Sequence, residues 1–268
     1  MPKTVLITGT SSGMGHELVA QFARRGWNVA AVMRRSPSES DFANLNNVQV
    51  LTADVTKPDS IRSAVARSSV VFGPIDVVVN NAGFAQLGTL EEISLDQWRA
   101  QYETNVFGVV TVVSAVLPQM RARMTGHIIN ISSMGGHVSL PTMSAYTSSK
   151  FALEGLSEGL AKEIAPIGIK LTIVEPCGFA TAFSSNANPA ATQLPDYDAA
   201  RQAMKDFSAT SRYGNLERSM SAVADIAGID QPPRRLAVGS FGLEMVRGKM
   251  AELTEGYATW ESVTLTTD

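Results

Sequence analysis

The chain of 268 residues has one cysteine, Cys177, and three histidines, so it is poor in soft metal-ligating side chains. A lone cysteine excludes an intrachain disulfide framework and fits a reducing compartment. His16, His127 and His137 are scattered, with no H-E-x-x-H run and no paired Cys/His spacing. No metal site is expected. Charge is also scarce. Only 18% of residues are charged and the formal net charge is -3, without the Lys/Arg cluster that holding nucleic acid requires. No apolar run reaches the ~18 residues that span a bilayer. The nearest, Val109 to Leu117, is interrupted by Thr111 and Ser114. A single Lys before Val5, Leu6 and Ile7 is too little for a signal peptide. The expectation is a cytoplasmic globular protein with no nucleic-acid or membrane partner.

What the chain does contain is alternation. Short β-branched runs at Thr4 to Ile7, Asn28 to Val32, Val48 to Leu51, Ile75 to Val79, His127 to Ile131 and Lys170 to Val174 read as strands. Helical patterns near 13–25, 58–71, 94–122 and 144–165 lie between them. Leu153, Leu156, Leu160 and Ile164 step by three or four residues and mark one buried stripe. Near-continuously apolar strands suit a parallel sheet covered on both faces. After Pro176 the composition shifts. Residues 182–195 are non-periodic, with helical patches near 196–211 and 217–229, a last strand at Leu236 to Val238 and a closing helix from Gly242 to Trp260. The expectation is an α/β fold: a doubly wound, Rossmann-type parallel sheet of about seven strands in one domain, 1–268. Within it, 182–213 forms a substrate loop or lid, and 239–268 is a C-terminal extension over the pocket or a subunit contact.

The first strand runs into Thr8-Gly9-Thr10-Ser11-Ser12-Gly13-Met14-Gly15 and then a helix. That context suits a pyrophosphate site, because glycines let backbone approach the phosphates and the helix N-terminus supplies free N–H groups. The spacing G-x-x-x-G-x-G is not the G-x-G-x-x-G fingerprint, and a plain tight turn is the alternative. Further along stand Asn80-Asn81-Ala82-Gly83, Asn105, Ser133 and Tyr146-x-x-x-Lys150. Together and in this order, the motifs resemble those of the short-chain dehydrogenase/reductase superfamily, in its branch of about 250 residues. The resemblance runs from Met1 to about Val238, and the details look most like bacterial relatives of hydroxysteroid and retinol dehydrogenases.

The resemblance implies a nicotinamide cofactor. It assigns Thr8, Gly9, Ser11, Ser12, Gly13, Met14 and Gly15 to the phosphates, Asp54 and Val55 to the adenine, and Asn81, Ala82 and Gly83 to the border of the adenosine ribose. Asp54 also reads as a helix-start acid. Pro176 and Gly178 match the motif beside the nicotinamide, and Thr181 matches the threonine on its carboxamide. Cys177 departs from the family glycine and reads as a small packing residue. Where the second strand ends, no acid appears before Glu39, and Arg34-Arg35 offers planar donors to a 2′-phosphate instead. NADP(H) is therefore the expected cofactor, with NAD(H) second.

Tyr146 and Lys150 share a helix face one turn apart. A tyrosine with pKa near 10 is only about 0.1% ionised at neutral pH, and a nearby ammonium lowers that value by about 1–3 units. The resemblance gives Ser133 the substrate oxygen and Tyr146 the proton transfer. It gives Lys150 the tyrosine pKa and the nicotinamide ribose, and Asn105 a water linked to the lysine. Asn105 also reads as a half-buried asparagine bonding its own helix. The implied activity is carbonyl–alcohol interconversion. Met134, His137, Val138, Leu140, Met143, Phe183, Leu194, Met204 and Phe207 suggest an apolar pocket for a bulky substrate, though His137 also reads as an exposed loop residue. The same residues admit three other readings. A sugar-nucleotide epimerase or dehydratase would carry G-x-x-G-x-x-G and a longer C-terminal domain. A redox sensor without turnover would usually lose the tyrosine or lysine. A structural oligomer module would pair through the helices of Asn105 and Tyr146, the surfaces by which family members form homodimers or homotetramers.

Overall fold

The computed structural model describes residues 2–34, 41–42, 44–179 and 187–268. Its centre is a seven-stranded, wholly parallel sheet of β1 (Thr4–Thr8), β2 (Asn28–Met33), β3 (Val48–Thr52), β4 (Val77–Asn80), β6 (Gly126–Ile131), β7 (Ile169–Pro176) and β9 (Arg235–Val238), in the order β3-β2-β1-β4-β6-β7-β9. The chain winds outward from β1 to β3, then returns to place β4 on the other side of β1. That reversal is the topological switch point, where open sheets of this type hold ligands beyond the strand carboxyl ends.

The inner strands are buried on both faces, as their composition requires, and the edge strands β3 and β9 only in part. Val5 and Ile7 of β1 pack with Leu18, Val19 and Phe22 of α1 (Gly13–Arg24) and with Met220 and Val223 of α7 (Leu216–Ile226). Leu6 points to the opposite side. There it joins Ile61 and Val65 of α2 (Pro58–Phe72), Val112 and Val116 of α4 (Gly108–Arg123) and Leu153 and Ile164 of α5 (Ser144–Ile164). Alternation along one strand thus builds two cores, one on each face.

The helix expected over 94–122 is three pieces: α3 (Leu95–Tyr102), a π-helical turn (Glu103–Phe107) and α4. Ser94 and Gln97 close a reciprocal capping box at its start. Among the described residues, Leu95–Arg123 is the one helical stretch long and apolar enough to cross a bilayer. Val109, Val112, Val113 and Val116 of that stretch are buried in the core beside α2 and α5.

A small parallel pair, β5 (Gln86–Leu87) with β8 (Asn188–Pro189), lies outside the main sheet and has no counterpart in the sequence reading. It carries the chain towards α6 (Asp198–Thr210). The closing helix is longer than its pattern suggests, with α8 spanning Ser240–Thr264.

Candidate active site

The phosphate-type loop is locked from behind by Asn81. Its Nδ2 donates to the carbonyl oxygens of Thr8 and Gly9 at 2.9 and 3.0 Å. The hydroxyl of Thr8 accepts from the N–H groups of Asn81 and Ala82 at 3.1 and 3.0 Å. This approach is what requires the glycines. Gly9 has φ +71°, and a Cβ there would lie 2.7 Å from Cα of Ala82. A Cβ on Gly15 would lie 2.2 Å from the carbonyl oxygen of Gly9. Ser12, at the N-cap of α1, makes no capping bond with its side chain. The first turn of α1 therefore keeps N–H groups for an anion. Ser11, Ser12 and Arg34 are exposed, and Met14 packs partly into the core. Gly83 is exposed, and a Cβ on it would lie 3.1 Å from Oδ1 of Asn105.

Asp54 closes a local turn ahead of α2 and does not cap it: its Oδ1 accepts from both the N–H and the hydroxyl of Thr56 at 2.9 Å, while the N-cap is Lys57. Val55 packs against Gly108, where a Cβ would come within 2.8 Å of it. Arg35, Thr181 and Phe183, like Glu39, lie outside the described residues.

Ser133 leaves β6 in extended conformation, and its Oγ accepts from the N–H of Gly135 at 2.9 Å. It also hydrogen-bonds Tyr146, so the two hydroxyls meet beyond the carboxyl end of the sheet. Tyr146 and Lys150 are each only 7% exposed. Lys150 donates from Nζ to the carbonyl oxygen of Ile131 at 2.9 Å, and Nζ sits 5.8 Å from the centre of the Tyr146 ring. The expected lowering of the phenol by the ammonium is not what governs here. Burial pushes Tyr146 up to about 12, with the Ser133 hydrogen bond pulling the other way. Burial also brings Lys150 down to about 8, opposed by the Glu154 carboxylate. Desolvation outweighs the mutual attraction of the two charged forms.

Asn105 sits in the π turn, 1% exposed, and bonds neither its own helix nor Lys150 directly. Its Oδ1 accepts from the N–H of Phe84 at 3.2 Å, while its Nδ2 donates to the carbonyl oxygen of Phe84 and to Oγ of Ser149, each at 3.1 Å. Ser149 donates in turn to the carbonyl oxygen of Tyr146 at 2.6 Å. The extra residue in the turn aims an amide from one helix at the catalytic helix, a known use of π bulges. Gln101, on the same face one turn earlier, clamps the same segment through Gln86 N–H and Phe84 C=O at 2.7 and 2.8 Å. Gln101 was not singled out in the sequence. Its spacing of four from Asn105 on an apolar helix was the available signal.

His137 is half-buried rather than exposed, and it is held in an ionic cluster. Its Nε2 lies 3.2 Å from Glu175 and 3.2 Å from Nη1 of Arg235. Arg235 also reaches Glu154 and, at 2.6 Å, Glu175, and pairs with Glu158 at 2.5 Å. Three carboxylates around one guanidinium leave an excess of negative charge. The hydrogen bond to Glu175 accordingly raises the histidine pKa, against the cost of burial. His137, Glu154 and Glu175 are spaced closely enough to ligate a metal ion. The Arg235 guanidinium contacts all three, so a metal would have to displace it.

Pro176 ends β7. Cys177 is buried, and its N–H donates to the carbonyl oxygen of Val238 at 3.0 Å. Its sulfur faces Gly239, where any Cβ would come within 2.0 Å, so the extension can begin there only with glycine. Cys177 thus packs as expected, beneath the start of α8. Gly178 is exposed and approaches the Tyr213 ring. Further along the chain, Leu194 and Arg201 are tied to Glu92 at 2.7 and 2.6 Å. Met204 and Phe207 share the inward face of α6 with Arg201, and Phe207 meets Phe241 at 5.8 Å between ring centres.

A doubly wound parallel sheet, a glycine loop at its switch point and a Ser–Tyr–Lys set with its tyrosine and lysine buried define a dinucleotide-dependent oxidoreductase class. Comparison gives the family. Residues 3–211 match the family model for short chain dehydrogenases. The chain is 39% identical over 242 residues to a 3-ketodihydrosphingosine reductase of Bacteroides thetaiotaomicron, covering 89% of this chain and 88% of the relative. It is 38% identical over 191 residues to human retinol dehydrogenase 8, covering 68% and 60%. The crystal structure of a short-chain dehydrogenase from Streptomyces avermitilis superposes with TM-score 0.91 at 34% identity, covering 100% of this chain and 99% of that one. ElxO with NADP bound superposes at 0.77 with 25% identity, covering 91% and 100%. The chain belongs to the short-chain dehydrogenase family.

Proposed function

We propose that the protein is an NADP(H)-dependent oxidoreductase that interconverts a bulky, apolar ketone or aldehyde with its alcohol. The observation that carries this reading is the Ser133–Tyr146 hydrogen bond, buried beside Lys150 at the carboxyl end of the sheet. Fit to the cofactor rests on the Gly9–Gly15 cradle, the uncapped start of α1 and exposed Arg34 after β2. When bound, a nicotinamide supplies or accepts the hydride at the substrate carbon.

The residues of the chain do the rest. Ser133 and Tyr146 hold the substrate oxygen, and Tyr146 gives it a proton in reduction or removes one in oxidation. A phenol held near 12 is protonated at neutral pH, which suits the reducing direction. Lys150, anchored on Ile131, stands where it can favour the phenolate and hold the nicotinamide ribose. Asn105 positions the backbone of the catalytic helix through Ser149. An apolar substrate agrees with Met204 and Phe207 on the inner face of α6, and two named relatives act on lipid-like molecules. A homodimer or homotetramer belongs to the same reading, with Phe107, Val110 and Phe151 exposed near the helices that would pair.

The test is a panel of apolar carbonyls followed by NADPH absorbance, with wild type beside Tyr146→Phe. The variant is expected to lose about 10²–10⁴-fold in kcat while NADPH affinity changes little. Tight NADPH binding without turnover on any carbonyl would favour a sensor and sink the proposal.

A further inference from the structure

Helix α8 starts against Cys177 and then leaves the body of the protein. Val246 is its last buried residue, and every residue from Met250 onward is exposed. The projecting part, Met250 to Thr264, is about 22 Å long at 1.5 Å per residue. Exposure falls on large apolar side chains: Met250 53%, Leu253 46%, Tyr257 77% and Trp260 66%. With Leu243 and Val246 they alternate in steps of three and four, the seam of a two-stranded helix pair. The opposite side carries Ala251, Glu252, Glu255, Ala258, Thr259 and Ser262.

On its own such a helix is marginal. Helices of this length in water draw most of their stability from packing, and Gly256 with β-branched Thr254, Thr259 and Val263 lowers the intrinsic propensity further. The stripe needs an occupant, and charge indicates which. Arg247 and Glu261, which flank the seam on the same side, have no ion-pair partner among the described residues. They lie at equal distances either side of Thr254. In a parallel pair Arg247 and Glu261 would face Gly242 and Gly256 of the partner helix, so neither charge would be met. An antiparallel pair that stacks Met250 on Trp260 and Leu253 on Tyr257 brings Arg247 of each to within two residues of level with Glu261 of the other, on the same side of the seam. Beyond Lys249 the chain has Glu252, Glu255, Glu261 and Asp268 but no basic residue, which disfavours an anionic lipid surface.

We propose that α8 is a self-association element: two copies of the chain pair antiparallel through the Met250–Trp260 stripe. This contact is separate from the one involving Phe107, Val110 and Phe151, and it does not depend on the oxidoreductase reading.

The test is molar mass in solution by light scattering and sedimentation equilibrium on the full chain. Leu253→Glu with Trp260→Glu is expected to halve the mass while the far-ultraviolet dichroism of the body and its unfolding transition persist. Arg247→Glu should weaken association, and Arg247→Glu with Glu261→Arg should restore it. An unchanged mass in the first variant, or a monomeric wild type, overturns the proposal. A halved mass without charge-swap rescue overturns the antiparallel pairing. Cosedimentation of wild type with phosphatidylcholine vesicles, abolished by Trp260→Glu at constant mass, would assign the stripe to lipid instead.

Discussion

Arg34 stands exposed just after β2, on the side of the sheet where β1 opens into the glycine loop. Under the proposed function it forms charge-assisted hydrogen bonds to a 2′-phosphate, an interaction of about 1.5–3 kcal/mol. Arg34→Asp should therefore lower the ratio of kcat/KM with NADPH to that with NADH by roughly 10–100-fold. An unchanged ratio would remove the cofactor assignment. At this scale the sequence was most legible where chemistry is local. Tyr146 and Lys150 share a helix face because four residues make about one turn, and the glycines announce themselves by spacing. It was least legible where a neighbour decides. Nothing in Tyr-x-x-x-Lys says that burial moves Tyr146 up to about 12 and Lys150 down to about 8, since both shifts come from side chains packed over them. Asn105 was found as a residue, but its bonds to Phe84 and Ser149 were not, because a π turn leaves no mark in hydrophobic periodicity.

At the scale of elements, the anchoring of α6 depends on one buried carboxylate. Glu92 accepts from the N–H groups of Thr89 and Leu194 and pairs with Arg201 of α6. Those backbone donors, then Arg201, hold its pKa down at about 2, from an ordinary 4.5. A folded-state pKa below the unfolded one means that the stabilisation is complete above about 4.5 and is lost as pH falls towards 2. The attachment of α6 should therefore persist across the neutral range and loosen only in acid. Glu92→Ala should speed hydrogen exchange of the amides of 194–210 roughly tenfold at pH 7, leaving the central strands unchanged. Equal exchange in both proteins would show that α6 is held by other contacts. The strands and long helices were readable because period and composition agree in each. The β5–β8 pair was not, since two residues on each strand carry no pattern. Glu92 pairs with residues 102 and 109 positions away, and such pairing has no signature in one sequence.

Over the whole molecule, the cluster around Arg235 ties together pieces that the sheet alone would leave independent. Arg235 belongs to the edge strand β9, Glu175 to its neighbour β7, Glu154 and Glu158 to the catalytic helix, and His137 to the loop that follows Ser133. The partners lie 60 to 98 residues from Arg235, so the sequence showed only isolated charges in apolar settings. Removing one member of a buried ionic set costs about 3–5 kcal/mol because the others stay buried without compensation. The side chain of Arg235 is 32% exposed, while those of Glu154 and Glu175 are 8% and 6%. The lower end, about 3 kcal/mol, is therefore expected for Arg235→Leu in urea unfolding at pH 7. If uncompensated charge is the cause, adding Glu154→Gln to Arg235→Leu should recover much of that loss. Arg235→Leu alone should also lose less at pH 5 than at pH 7, because protonation then relieves the carboxylates. A loss below about 1 kcal/mol would place the cluster among ordinary surface pairs. A full loss with no recovery in the double variant would assign the stability to guanidinium packing. Recovery of stability with slower turnover would show that the cluster also aligns the Ser133 loop with Tyr146, since Glu154 and Lys150 lie one turn apart on the same helix.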